Sequence, residues 1–416
     1  MKRSTIMLAG AALLIGLATT QAGAASFSVL DYNVRGLPPP FIEDRTTQMA
    51  QIAPKLEDFH TPAATYVGQQ AIVLLQELFH QNYYNTLMNP ATVTYPFKTA
   101  KDTGGPNGIG DGLNRLSDFE FFDHFRTQWT ACFGSGGANG SDCDTNKGFS
   151  YARHEIEQGI FVEVYDLHAD AGQDTGSRTA RRSNITQLVA AINANSPLGD
   201  AVIVMGDTNS LYTRVDPAKD NIDTLLSGTG VADVWVELVK GGVVPSPGPD
   251  NESECLTNPS GPNCELVDKI FYRSGSDLTL IPKNYAALKT FFSDGSGNDL
   301  SDHYPVTVVF DYTIVTTSTS STSSTSSSTT TTTTLPPRPC GDPVALIYRD
   351  SAGDTLAASV TASDALRILK AAVGQPVTCE PCVCDANNSG SITTSDALLV
   401  LKFSVGQPVT LNCPAC

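Results

Sequence analysis

Basic residues are scarce in this 416-residue chain: 26 Lys and Arg stand against 43 Asp and Glu, a formal charge of −17. An acidic surplus argues against a basic groove that grips nucleic acid by its phosphates. It leaves room for a metal-dependent nuclease, because bound cations can carry the phosphate contact. Long apolar runs are also missing. After residue 24 no segment reaches the roughly 18 apolar residues that a membrane-spanning helix needs. Charged residues make up only 17% of the chain and hydrophobic ones 41%, enough for one large core and something smaller.

The N-terminus differs from the rest. Lys2 and Arg3 precede "IMLAGAALLIGLA", and Ala22–Ala24 offers a small-residue cleavage site. Residues 1–24 therefore read as a secretory signal peptide, with a retained anchor as the alternative. Secretion to an extracellular or periplasmic space accounts for the ten cysteines, four before residue 300 and six after residue 339. Even numbers in each part suit disulfides. Local spacing pairs Cys132 with Cys143 and Cys255 with Cys264.

Residues Thr316 to Pro339 are nearly all Ser, Thr and Pro and cannot build a core. They read as a flexible linker between a large domain, 25–315, and a tail, 340–416. The tail repeats itself: "TASDALRILKAAVGQPVT" (361–378) matches "TTSDALLVLKFSVGQPVT" (393–410) at an offset of 32. Each copy spaces its apolar residues as a helix does and ends on a Gly. Before the second helix, Asp385, Asn387, Ser389, the Ser391 carbonyl, Thr393 and Asp396 occupy the ligand positions of a calcium loop, with Gly390 at the turn. The first copy has Gly353, Thr355 and Ala357 at matching places, so a lost metal is expected there. Loop, helix and duplication together resemble a dockerin module over 350–407. The resemblance implies bound Ca²⁺, a cohesin-like protein partner and a link with polysaccharide-degrading assemblies. A calcium-stapled appendage without a partner is the alternative. The paired "CEPC" and "CPAC" fit a zinc site by spacing, but an oxidising compartment favours disulfides.

In the large domain "FSVLDYNV", "AIVLLQEL", "GIFVEVYDLH", "AVIVMGDTN", "VDKIFYRS" and "YPVTVVFDY" are strand-like. Within "SNITQLVAAINAN", Ile185, Leu188, Val189 and Ile192 share a helical face, with Ser183 or Asn184 as the expected cap. The expected fold is α/β: a four-layered sandwich of two mixed β-sheets flanked by helices, plus a small helical calcium-loop module.

Several of these runs meet polar residues at one end. Asn33, Glu77, His168, Asp207 with Asn209, and Asp302 with His303 all abut segments that must be buried. A charge at the lip of a core costs several kcal/mol unless it is paired or metal-bound. Five such places point to one cleft at a common end of the sheets. Asp207 and Asn209, two residues apart, share a strand face. Carboxylate and carboxamide oxygens suit Mg²⁺, Mn²⁺ or Ca²⁺, and neighbouring imidazoles suit proton transfer. The inventory fits phosphate-ester hydrolysis.

In that order "YNVRGL", "LLQELF", His168, "GDTN" and "SDHYP" resemble the endonuclease/exonuclease/phosphatase superfamily, over nearly all of 26–314. The group includes pancreatic-type deoxyribonucleases, abasic-site endonucleases, inositol phosphatases and sphingomyelinases. The resemblance implies that Glu77 is the main metal ligand, with Asn33 beside it and Asp302 near the metal. It implies that Asp207 orients or deprotonates the attacking water and that Asn209 holds a phosphoryl oxygen. His303 is implied as general base or phosphate contact, with Asp268 of "LVDKIFY" as its carboxylate partner; an ion pair of Asp268 with Lys269 or Arg273 is the alternative. His168 is implied to stabilise the phosphate or assist the leaving group. The other histidines, His60, His80, His124 and His154, read as surface or packing residues.

"GDGLNRLSDFEF", "NKGFSYAR" and "NDLSDHYPV" are similar to stretches of bacterial sphingomyelinases. Unlike haemolytic members, 275–298 contains no Trp. Tyr212 and Arg214 are either substrate contacts or an exposed loop pair. The substrate expected is a phosphodiester, a lipid head group or nucleic acid. A sphingomyelinase or phospholipase C-like enzyme leads, an extracellular endonuclease follows, and a non-catalytic docking protein comes third.

Overall fold

The computed structural model describes residues 25–60, 70–105, 108–137, 139–214, 222–248 and 264–315, and parts of 340–414. The expected signal peptide and linker lie outside the described residues.

Chain order gives β1 (Ala25–Asn33), α1 (Thr46–His60), β2 (Ala71–Gln76), α2 (Gln81–Leu87), β3 (Phe97–Lys98), β4 (Asn114–Ser117), β5 (Phe121–Gln128), β6 (Gly148–Glu157) and β7 (Ile160–His168). Then come α3 (Thr175–Asn195), β8 (Val202–Asp207), α4 (Ile222–Thr229), β9 (Ala232–Asp233), α5 (Val234–Leu238), β10 (Asp268–Arg273), β11 (Leu278–Ala287) and β12 (Val306–Ile314). Two six-stranded sheets result, ordered β11-β12-β1-β2-β4-β3 and β5-β6-β7-β8-β10-β9. Each is mixed. β1 and β2 run parallel across α1, and β7 and β8 run parallel across α3, while the flanking pairs are antiparallel.

Period-two alternation sorts the strand residues into layers. Phe27, Val29, Ile72, Leu74, Val164, Ile203, Met205 and Phe310 meet between the sheets. The opposite face of the first sheet packs Leu30, Tyr32 and Leu75 on Met49, Ile52 and Leu56 of α1. The outer face of the second packs Tyr165, Val202 and Val204 on Ile185, Leu188 and Ile192 of α3 and Trp235 of α5. Each such side chain contributes roughly 1.5–3 kcal/mol by leaving water. The four-layered sandwich is the fold the strand patterns imply.

One helix boundary differs from expectation. α3 starts eight residues before Ser183, and its cap is Asp174, whose side chain accepts from the Gly176 and Ser177 amides. The "TARRS" stretch shows no apolar stripe, so periodicity finds only the second half. Asn184 is buried mid-helix instead, accepting from the Asp170 amide and donating to the Ala131 carbonyl.

Near the C-terminus, α6 (Ala362–Ala372), α7 (Pro381–Cys384) and α8 (Thr394–Ser404) have their own small core around Ile368, Val383 and Val400. The bounds of α6 and α8 correspond under the 32-residue offset of the repeat. The expected Cys132–Cys143 bridge forms, alongside Cys340–Cys413 and Cys379–Cys384. Cys264 and Cys382 are disulfide-bonded too; Cys255 lies outside the described residues. No helix among the described residues is long and apolar enough to cross a membrane.

Candidate active site

The inter-sheet layer changes character along its length. On β1 the inward positions read Phe27, Val29, Asp31, Asn33; on β7 they read Val162, Val164, Asp166, His168. The β8 face runs from Ile203 and Met205 to Asp207, and β10 opens on Asp268. Register aligns His168 with Asp207 and Asp207 with Asp268. One end of the sandwich is therefore apolar, and the other is a polar mouth.

A buried belt separates the two. The Gln76 amide donates to Asp31 on its own sheet and to Asp166 on the other, both at 2.8 Å. Arg115 lies alongside, donating to Ser150 Oγ at 2.9 Å. Burial pushes Asp31 well above the usual carboxylate range, aided by Asp268 and Asp166. Burial likewise pushes Asp166 up to about 7, against the pull of Gln76 and Arg115. Sequence reading missed this belt. Its only trace is an acid two residues before Asn33 and another two before His168.

At the mouth, Asn33 Nδ2 donates to Glu77 Oε1 at 3.1 Å and across the sheets to Asp207 Oδ2 at 3.2 Å. His168 Nε2 stands 3.3 Å from Asp207 Oδ2 and 3.8 Å from Glu77 Oε1. His303 Nε2 lies 3.7 Å from the same Asp207 oxygen. Its Nδ1 is gripped by both Asp268 oxygens, at 2.8 and 3.0 Å. Asp268 thus pairs with His303, while Lys269 pairs with Glu265 and Arg273 donates to backbone carbonyls. Burial would lift Asp207, yet His303, His168 and Lys147 outweigh it and hold its carboxyl well below the usual range. Burial would depress His303, yet Asp268 and Asp207 outweigh it and hold the imidazole well above its ordinary value.

The backbone is bent to make these contacts. Arg35, Glu77 and Asn209 have φ of 52°, 58° and 51°, left-handed conformations that side chains rarely adopt. Gly206 is required by crowding, since a Cβ there would lie 2.0 Å from the Leu167 carbonyl oxygen. Its absence lets β7 and β8 approach beside His168 and Asp207.

Other residues fall around this centre. Asn209 Nδ2 donates to the Ala169 carbonyl and its amide N–H to Asp207 Oδ1. The Asp302 carboxylate is turned onto Arg35, 3.2 Å away, rather than into the Asp207 cluster. Lys147 of "NKGF" pairs with Asp142, and its charge reaches Glu77 and Asp207. Arg35 and Lys147 carried no role in the sequence reading. Tyr212 is not exposed: it is buried, donating to Asp233, while Arg214 holds the Asn209 carbonyl.

Asp207, Asp268 and His303 offer ligand atoms within 4.8 Å of one another, two carboxylates and one imidazole, and Glu77 Oε1 faces the same mouth beside Asn33 Nδ2. Carboxylates converging on a partly buried mouth fit a hard divalent cation.

The profile of the Endonuclease/Exonuclease/phosphatase family matches residues 32–303. Proteins named sphingomyelinase from Mycobacterium tuberculosis and Mycobacterium bovis are 32% identical over 308 residues, covering 72% of this chain and 56% of theirs. The chain thus spans about half the length of these curated relatives. Among solved structures, it is similar to a sphingomyelinase C from Streptomyces griseocarneus, with a TM-score of 0.44 and 20% identity over 68% of this chain and 99% of that one. A beta toxin variant from Staphylococcus aureus with bound magnesium ions gives a TM-score of 0.45 and 18% identity over 68% and 99%.

Proposed function

Given that the chain belongs to the endonuclease/exonuclease/phosphatase family, we propose that it is a secreted, metal-dependent phosphodiesterase, sphingomyelinase or phospholipase C-like in substrate. One observation carries the reading: His303, oriented by Asp268, stands against Asp207, with Glu77 and Asn33 in the same mouth.

Glu77, with Asn33 beside it, would hold the divalent cation. Bound there, Mg²⁺ would neutralise phosphate charge and polarise the P–O bond. The chain's own groups do the rest. Asp207, kept ionised, aligns the attacking water. His303 takes or returns the proton at Nε2, since Nδ1 is committed to Asp268. His168, on the other side of Asp207, faces the leaving oxygen. Asn209, fixed by Ala169, keeps one N–H for a phosphoryl oxygen. Asp302 is an outer residue that positions Arg35 at the rim.

A lipid phosphodiester is favoured over DNA by the 32% identity to proteins named sphingomyelinase and by the surplus of acids. The test is a substrate panel with Mg²⁺ and with EDTA: sphingomyelin, phosphatidylcholine, plasmid DNA and bis-p-nitrophenyl phosphate. Choline-lipid cleavage that stops in EDTA supports the reading. DNA cleavage without lipid cleavage replaces it with the endonuclease alternative.

For the rest of the chain the proposal is a catalytic domain at 25–315 and a dockerin-like calcium module at 340–416, behind a signal peptide and linker. In the second repeat, Asp385 accepts from the Ser389 and Gly390 amides, and Asp396 accepts from Asn387 and Thr393. Both carboxylates are buried in an oxygen-rich loop. That supports a Ca²⁺ site formed by Asp385, Asn387, Ser389, Ser391, Thr393 and Asp396, and leaves a cohesin-type partner as the module's expected target. Disulfides on both sides of the linker support secretion.

A further inference from the structure

One of the positions at which α6 and α8 differ changes charge. Arg367 in the first copy corresponds to Leu399 in the second. Arg367 does not face water. Its NH1 reaches Glu155 Oε2 at 2.6 Å, with 4% and 7% of the two side chains exposed, and its guanidinium lies over the Phe122 ring at 5.3 Å. One turn on, Lys370 Nζ reaches Glu120 Oε1 at 2.7 Å. Glu155 belongs to β6, Phe122 to β5 and Glu120 to the turn before β5.

We infer that α6 is an intramolecular docking helix that clamps the C-terminal module onto the β5–β6 edge of the sandwich through Arg367 and Lys370. The contact is built, not incidental: two cations one helical turn apart meet two carboxylates, and an aromatic face backs the guanidinium. A buried Arg against a carboxylate is the pairing that guanidinium geometry favours. Attachment through 316–339 makes association unimolecular, at an effective concentration in the millimolar range, so even a weak interface stays mostly closed. The dock also has a defined place. Glu155 pairs with Phe161 at the β6–β7 turn, whereas Phe149 pairs with Leu167 beside His168. Six residues of strand separate these points, about 20 Å. The module therefore sits at the closed end and leaves the mouth open. The second copy keeps Leu398, Leu401 and Val405 exposed, so docking through the first copy does not consume the second.

The test is small-angle X-ray scattering of the full chain at low salt, for the wild type and for Arg367→Glu combined with Lys370→Glu. The wild type should scatter as one lobe. The charge-reversed chain should become two-lobed, its maximum dimension rising by about 25 Å, the root-mean-square span of a tract the length of 316–339. Adding Glu120→Lys to Lys370→Glu alone should restore the one-lobed profile, which a misfolded helix would not do. Turnover per molecule should stay within twofold. A two-lobed wild type, or identical scattering for wild type and both reversed variants, overturns the inference.

Discussion

Replacing Asp268 by Asn tests how the mouth moves protons. The substitution keeps size and shape but removes the carboxylate that grips His303 Nδ1 with both oxygens. A hydrogen bond to a charged group contributes about 1.5–3 kcal/mol, and one pKa unit corresponds to about 1.4 kcal/mol. The pKa of His303, held high by Asp268 and Asp207 against the effect of burial, should therefore fall by about one to two units. If neutral His303 accepts the proton, activity rises as pH climbs through that raised value. In Asp268→Asn the acid limb should move to lower pH by the same amount. The plateau should drop on the order of 10²-fold, because the ring loses its orientation. The same pairing bears on stability. A raised folded-state pKa contributes stability that is complete below the unfolded value, about 6.5, and is lost as pH rises through the folded one. The wild-type advantage over the variant should thus shrink at alkaline pH. The pH–rate profile and an NMR titration of the His303 ring in the full chain read both effects. An acid limb that stays put, or moves up, refutes the assigned pairing.

Three other perturbations have defined outcomes. Gly206→Ala puts a Cβ 2.0 Å from the Leu167 carbonyl; overpacking of that kind costs about 1–3 kcal/mol, read as a lower urea midpoint, and turnover should fall further than stability because His168 and Asp207 separate. Phe310→Ala empties the inter-sheet core, where Phe310 is fully buried; urea unfolding should show a loss of about 3–5 kcal/mol, and a loss below about 1 kcal/mol would mean the sheets do not pack as described. Calorimetric titration of the full chain with Ca²⁺ should show one tight site that disappears in Asp385→Ala; two equal sites surviving that change would contradict the loop assignment.

The mouth was legible because strands obey a period of two and because a buried run that stops at an acid needs a reason. Asp207, His168, Asn33 and Glu77 follow from that rule together with the motif order, Asp268 was implied only by the family resemblance, and the structure brings all five within a few ångströms. Asp302 shows its limit: adjacent to His303 in sequence, it points at Arg35 because neighbouring loop residues need not share a face. The belt of Asp31, Gln76 and Asp166 escaped notice although a period of two puts Asp31 on the face of Asn33 and Asp166 on that of His168; Gln76, which joins them, lies 45 and 90 residues away in sequence. Arg367 and Lys370 carried no role in the sequence reading, and nothing local marks Glu155 and Glu120 as their partners. The start of α3 was hidden for a different reason: a charged first half leaves no apolar stripe, and the Asp174 cap is visible only in its hydrogen bonds.

The proposed cation-assisted chemistry at Glu77 is tested most directly by the Mg²⁺ dependence of bis-p-nitrophenyl phosphate hydrolysis in the wild type and in Glu77→Gln. Wild-type turnover should vanish in EDTA and return with added Mg²⁺, and the variant should need at least tenfold more Mg²⁺ for half its maximal rate. Hydrolysis indifferent to EDTA, or a Glu77→Gln chain with the wild-type Mg²⁺ curve, would contradict the account.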